Sequence, residues 1–187
     1  MEKLTEKVNK KIEEWSQNYR ELINIISWDE YFLLQAYLIS LRSIDAQTQC
    51  GAVLVNELKT ILSTGYNGFM TGINDNILPN LRPEKYPYFL HAEHNAVLNC
   101  AKNGISTLNA TAYITSPPCS NCFQILHQAG IKKIIYLKNY NVAKMIENEE
   151  EQIRLKILSM LSPIEDCGIE NPSDDLLQKI SQIKSWR

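Results

Sequence analysis

The chain has 187 residues, 44% of them hydrophobic and 21% charged, which suits one globular domain with its own core. Its formal net charge is −2, without the basic excess of proteins that grip nucleic acid through phosphates, and no apolar run has the length of a membrane span. Small substrates or protein partners are therefore favoured over stable nucleic-acid or membrane contact, and the polar start Met1–Lys11, with no apolar signal core behind it, is consistent with a cytoplasmic, reducing setting.

Leu4, Val8, Ile12, Trp15, Tyr19, Leu22 and Ile26 recur three or four residues apart and predict an amphipathic helix over 1–26, set apart as an N-terminal extension whose stripe needs a partner surface. A second helix is predicted from Ser27, with Glu30 placed to complete a capping box and Tyr31, Leu34, Tyr37, Leu38 and Leu41 as its apolar positions. Arg42–Gln49 reads as a loop. Gly51–Val55 and Thr60–Gly65 read as a hairpin, after which Gly65-Tyr66-Asn67-Gly68 implies an unusual backbone path. The polar, proline-bearing stretch Thr71–Pro87 has the character of a functional lid.

Beyond it, Ala92–Ala101 is a predicted helix, Thr111–Thr115 a strand, Cys119–Ala129 a helix stopped by Gly130, and Lys132–Leu137 a strand. Val142–Leu161 is a predicted helix whose acidic run Glu147–Glu151 complements its N-terminus and is otherwise solvated. Ser162–Pro172 reads as a loop and Ser173 as the cap of a last helix through Ile183. Strands alternating with helices after the hairpin argue for one α/β domain with a mixed sheet. Its bounds are 27–161, with 162–187 as a C-terminal helical extension.

Chemistry concentrates in His91-Ala92-Glu93 and Pro118-Cys119-Ser120-Asn121-Cys122. A catalytic zinc needs three protein ligands and an open position for water. Cys119 and Cys122 lie one turn apart at a helix start, where the positive helix end favours thiolates, and His91 at another helix start supplies the third donor. Glu93 is then free to move protons, the arrangement of zinc deaminases, H-x-E followed by P-C-x-x-C. The competing reading is a structural zinc clip, which would be closed by a fourth ligand. His94, on a helix starting at Ala92, is expected to point away from His91 and Glu93, as a surface residue or an outer support of the site. His127, among apolar neighbours, is expected to be an ordinary core or surface histidine. Cys50, Cys100 and Cys167 read as small buried hydrophobes.

WDEYF at Trp28–Phe32, RS-x-D at Arg42–Asp45, TQCGAVLVN at Thr48–Asn56, GYNG at Gly65–Gly68, KYPY at Lys85–Tyr88, HAEHNAVLN at His91–Asn99, TAYIT at Thr111–Thr115, PPCSNC at Pro117–Cys122 and AGIKKIIYL at Ala129–Leu137 together resemble the deoxycytidylate (dCMP) deaminases of the cytidine deaminase superfamily. The resemblance runs from about Trp28 to Leu137. It implies a three-layer α/β/α cytidine deaminase-like fold around a five-stranded mixed sheet, one catalytic zinc per chain, and hydrolysis of dCMP to dUMP and ammonia, with zinc-bound hydroxide attacking C4 and Glu93 shuttling protons. It also implies a homo-oligomer, a hexamer or dimer. Substrate contacts carried over from the family are Asn67 for sugar or base, Arg42 and Ser43 for phosphate, and Ala92 and Tyr88. Lys85 and Tyr86 beside Tyr88 either line the pocket or only pack its loop. The same family implies a dCTP effector site, with Mg2+, around Gly65, Tyr66, Asn67 and Gly68.

The chain departs from the family pattern at His94, where leucine is common, at Pro117, and in Thr71–Asn76, which lacks the cysteine and paired acids of many members. The altered loop motivates an alternative substrate, dCTP or a modified deoxycytidylate. Alternatives of other classes are a nucleic-acid editor, disfavoured by the charge balance, and a non-catalytic zinc-stabilised interaction module, disfavoured by the intact Glu93.

Overall fold

The computed structural model describes residues 2–20, 25–138 and 148–186. In chain order its elements are α1 (Glu2–Arg20), α2 (Trp28–Ser40), β1 (Gly51–Val55), β2 (Ile61–Tyr66), α3 (Ala92–Lys102), β3 (Thr111–Ile114), α4 (Ser120–Gln128), β4 (Lys133–Leu137), α5 (Glu149–Leu161), β5 (Glu165–Ile169) and α6 (Asp174–Lys184). The strands form one five-stranded sheet in the order β2-β1-β3-β4-β5. β1 is antiparallel to both β2 and β3, whereas β3, β4 and β5 run parallel.

Successive residues of a strand face opposite sides, and here both sides are apolar. Ala52, Leu54, Ala112, Ile114 and Ile134 bury against Ala92 and Ala96 of α3 and Phe123 and Leu126 of α4. Val53, Val55, Tyr113, Ile135 and Leu137 bury against Phe32, Leu33, Ala36 and Tyr37 of α2 and Leu176 and Ile180 of α6. Removing each large apolar side chain from water stabilises the fold by about 1.5–3 kcal/mol. The result is the three-layer α/β/α arrangement that the resemblance implies.

Two glycines set how closely the layers approach. A Cβ on Gly51 would lie 2.0 Å from the Ala36 carbonyl oxygen, and one on Gly65 would lie 2.2 Å from that of Ala92. Gly65 therefore lets the first turn of α3 rest directly on β2. Neither Gly65 nor Gly68 has positive φ, so the expected unusual backbone path at GYNG is corrected to close packing at Gly65 and a bridge between Gly68 and Leu90.

Other expectations also change. In α2 the buried face is Phe32, Leu33, Ala36, Tyr37 and Ser40, while Tyr31 and Leu38 are exposed; a helix apolar on most sides does not reveal its inward face by periodicity, and the glycine at position 51 selects it. The predicted loop Ser162–Pro172 contains β5, whose sequence EDCGI lacks the β-branched run of a central strand and pairs only along β4. Capping behaves as expected, with the full Ser27–Glu30 box on α2 and Ser173 accepting from the Leu176 amide on α6. The expected helix start at Val142 lies outside the described residues; α5 is capped by Asn148. On α1, Leu4, Val8, Ile12 and Trp15 are exposed, and Leu22 of the same predicted stripe lies outside the described residues. Among the described residues no helix is long and apolar enough to cross a membrane.

Candidate active site

Two helix N-termini meet at the end of the sheet. His91 is the N-cap of α3 and Cys119 the N-cap of α4, both with extended φ/ψ and neither making a side-chain cap hydrogen bond. An N-cap side chain lies beside that of the third helical residue, the geometry used by capping boxes. This explains how Cys-x-x-Cys converges, because Cys122 is the third residue of α4. His91 Nδ1 lies 3.2 Å from Cys122 Sγ and 3.6 Å from Cys119 Sγ, and the three donor atoms lie within 4.8 Å of one another.

Donors 2.0–2.3 Å from one tetrahedral zinc sit about 3.5 Å apart, so these residues fit the ion. Their proton chemistry fits as well. The two sulfurs share a proton. Cys119 is held down to about 4, chiefly by the hydrogen bond from Cys122, and Cys122 is pushed far up in return. His91 is raised to about 9 by its bond to Cys119. A divalent cation replaces such shared protons when thiolates ligate it.

Glu93 is the second residue of α3, is only 5% exposed, and stands outside the ligand group. Burial pushes its carboxyl up from the ordinary value, an effect that outweighs the neighbouring His91. Glu93, His91 and Cys119 line one pocket, together with Asn67, Ala92 and Pro117, the concave setting in which small ligands bind.

The remaining expected contacts divide. Asn67 and Ala92 line the pocket. The Asn67 amide also holds the wall: its nitrogen donates to Asp45 Oδ2 at 3.0 Å and the Thr48 carbonyl at 2.9 Å, and its oxygen accepts from the Cys50 amide at 2.7 Å. Lys85 and Tyr86 line the pocket; Tyr88 does not and is exposed. Arg42 and Ser43 do not border it either. Ser43 is buried and donates to the Asn67 carbonyl at 2.7 Å, so it supports Asn67. Arg42 lies in a separate groove with Gly65, Tyr66, Gly68, Thr71 and Asp75. The GYNG turn thus separates two concavities, Asn67 facing the metal pocket and its neighbours the groove.

His94 does not point away from His91. Their rings stack with centroids 5.8 Å apart, because His94 is the third residue of α3 and therefore faces the N-cap. His127 is exposed, with Nδ1 2.8 Å from Ser162 Oγ. Cys50 lines the pocket beside Ser116, and burial pushes its thiol up to about 11, so it stays protonated.

Sequence reasoning missed Arg82 and Thr48 in the pocket wall and Glu151 behind the ligand loop. Nothing local distinguishes Arg82 from any cation in a polar loop, or Glu151 from its acidic neighbours. The Thr71–Pro87 stretch, expected to be a lid, is tied to the 44–48 segment: Asn80 Nδ2 donates to the Ile44 carbonyl, the Arg82 amide to Gln47 Oε1, and Lys85 Nζ to Asp45.

Residues 26–138 match the family described as the cytidine and deoxycytidylate deaminase zinc-binding region. Deoxycytidylate deaminase of Homo sapiens is 38% identical over 120 residues, 61% of this chain and 66% of the human protein. ComE operon protein 2 of Bacillus subtilis (strain 168) is 34% identical over 131 residues, covering 68% of each chain. A crystal structure of dCMP deaminase from cyanophage S-TIM5, in complex with dCMP and dUMP, superposes with a TM-score of 0.62 at 28% identity, over 75% of this chain and 95% of the phage chain.

Proposed function

The chain belongs to the cytidine and deoxycytidylate deaminase family, and from that premise we propose that it hydrolyses dCMP to dUMP and ammonia. The observation that carries the reading is the buried Glu93 beside the His91–Cys119–Cys122 donor set in one pocket.

His91, Cys119 and Cys122 would hold the metal, and zinc there would supply Lewis-acid chemistry that lowers the pKa of water to near 7. Glu93 accepts the proton that the attacking water gives up at C4 and delivers it to N3 of the ring. It then carries a proton to the departing amino nitrogen, so that water and dCMP become dUMP and ammonia. Burial suits Glu93 to this work, because a carboxyl raised toward neutrality both takes and returns a proton. Ala92, Asn67 and Pro117 line the same pocket and would enclose the base.

Ammonia release from dCMP, CMP, dCTP, deoxycytidine and a single-stranded oligonucleotide, with zinc quantified in the same preparation, tests this. Turnover of dCMP supports it. Turnover of dCTP alone favours the alternative nucleotide, and one zinc per chain without turnover of any substrate favours a binding module.

The groove containing Arg42, Tyr66 and Asp75 supports a second nucleotide site, for dCTP with Mg2+, next to the metal pocket. A dCTP-dependent change in dCMP turnover, abolished by Arg42→Gln, is the expected result. The exposed stripe on α1 supports a homo-oligomer, and gel filtration with and without residues 1–26 tests it. A cytoplasmic setting fits the free thiols of the ligand pair.

A further inference from the structure

Two cations line the metal pocket, and they differ in their partners. Lys85 is 3% exposed, and its Nζ lies 2.5 and 2.6 Å from the two oxygens of Asp45. Its charge is matched inside the protein. Arg82 has no carboxylate at ion-pair distance among the described residues. Its Nη2 donates to Thr48 Oγ1 at 2.6 Å, while its Nε is buried without a hydrogen-bond partner.

Arg82 is half-buried, and an anion beside its guanidinium would offset the charge and give its unpartnered donors an acceptor. Its planar fork matches phosphate by paired hydrogen bonds. The surroundings hold it ready. The Arg82 amide is bonded to Gln47 Oε1 at 2.9 Å, and the same loop is fastened by Asn80 to Ile44 at 2.6 Å. Thr48 also lines the pocket. By accepting from Arg82, its hydroxyl keeps its own O–H to donate to a phosphate oxygen. Restricting the guanidinium beforehand lowers the ordering cost of binding.

We propose that Arg82, positioned by Thr48 and Gln47, binds the 5′-phosphate of the substrate and so selects nucleotide over nucleoside. The assignment rests on the nucleotide deaminase reading for its substrate class. It gives the phosphate to a residue in the metal pocket, whereas Arg42 lies in the other groove.

Calorimetric binding of dUMP and of deoxyuridine to the zinc-loaded full chain tests it, with Arg82→Gln, Arg82→Lys and Lys102→Gln as variants and zinc content and melting temperature as controls. Arg82→Gln is expected to weaken dUMP binding about 10–100-fold, the size of a lost charge-assisted contact. Deoxyuridine binding should stay within about twofold. Arg82→Lys, which keeps the charge but not the fork, should fall between, and Lys102→Gln, an exposed cation outside both concavities, should bind dUMP like the wild type. Arg82→Gln with wild-type affinity for dUMP overturns the proposal, as does an equal loss for deoxyuridine or a wild type that does not bind dUMP. Turnover of dCMP is read separately: Arg82-dependent dUMP binding without turnover keeps this site and removes the proposed reaction.

Discussion

Glu151 on α5 closes over the start of α4 at Ser120. One carboxylate oxygen accepts the Ser120 amide at 2.5 Å, and the other accepts its hydroxyl at 3.1 Å. Ser120 follows the ligand Cys119, and Glu151 is only 7% exposed. A residue beyond the β4 strand thereby fixes the backbone that aims one sulfur of the metal site, the kind of outer support that commonly tunes metal sites.

Glu151→Ala is therefore expected to lower zinc affinity about 10–100-fold. Chelator competition measures it, with Glu150→Gln, on the exposed side of the same turn, as the control that should change nothing. Equal affinity in Glu151→Ala and wild type would show that Ser120 holds its place without the carboxylate.

Replacing Cys119 or Cys122 by alanine removes one of the three donors that converge within 4.8 Å. Loss of stoichiometric zinc is expected, together with loss of the melting-temperature increase that zinc gives the wild type. A chelated wild type should melt like the variants. Full zinc in Cys122→Ala would assign the ligand set elsewhere.

The zinc residues and Glu93 were legible because their chemistry is local: both ligand segments are N-cap arrangements written within four residues of sequence. The same locality, followed too simply, misplaced His94, since a helix count from Ala92 leaves out that the N-cap side chain turns toward the third residue. Glu151 and Arg82 were not legible because their partners are 31 and 34 residues away in sequence. The strand β5 was hidden for a related reason. Its pairing is supplied by β4, not by its own β-propensity.

Glu93→Gln keeps the shape of the side chain but removes its ability to take and return a proton. Zinc binding should be unchanged, because Glu93 is not in the donor group, while kcat for dCMP falls at least about 10²–10⁴-fold, the usual contribution of a general acid–base. Turnover within tenfold of wild type would remove Glu93 from the reaction.

Gly65→Ala tests how the sheet places the site. The new Cβ would lie 2.2 Å from the Ala92 carbonyl oxygen and 2.4 Å from the Ala96 amide nitrogen. These are backbone atoms, so α3 itself must move, carrying His91 and Glu93 with it. A destabilisation of about 1–3 kcal/mol or more is expected, with loss of zinc affinity. At Gly68 the nearest atoms to a Cβ are Tyr66 side-chain carbons at 3.8 Å and 3.9 Å, so Gly68→Ala should be tolerated. Denaturant unfolding of the two variants, with zinc content, separates them; equal stability would mean that α3 approaches β2 less closely than these contacts require.

Glu30 joins two helix starts and gives the fold an acid-sensitive clasp. Its Oε2 accepts from the Ser27 amide and hydroxyl, each at 3.0 Å, and its Oε1 accepts from the Ser173 hydroxyl at 3.3 Å. The Ser27 backbone bond, then the Ser27 hydroxyl, hold its carboxyl below the ordinary 4.5. A carboxyl whose folded pKa lies below its unfolded value stabilises the fold fully above the unfolded value, and this stabilisation is lost as pH falls through the folded one. Wild type should therefore melt above Glu30→Gln at pH 7, and the gap should narrow once the pH drops below about 4.5. Ser27→Ala, which removes the cap hydroxyl at the other end, should cost about 1 kcal/mol and show a weaker acid dependence than wild type. A gap between wild type and Glu30→Gln that stays constant from pH 7 to pH 3 would mean that the Ser27 and Ser173 contacts do not favour the charged form of Glu30, and that α2 and α6 are held together by their apolar faces alone.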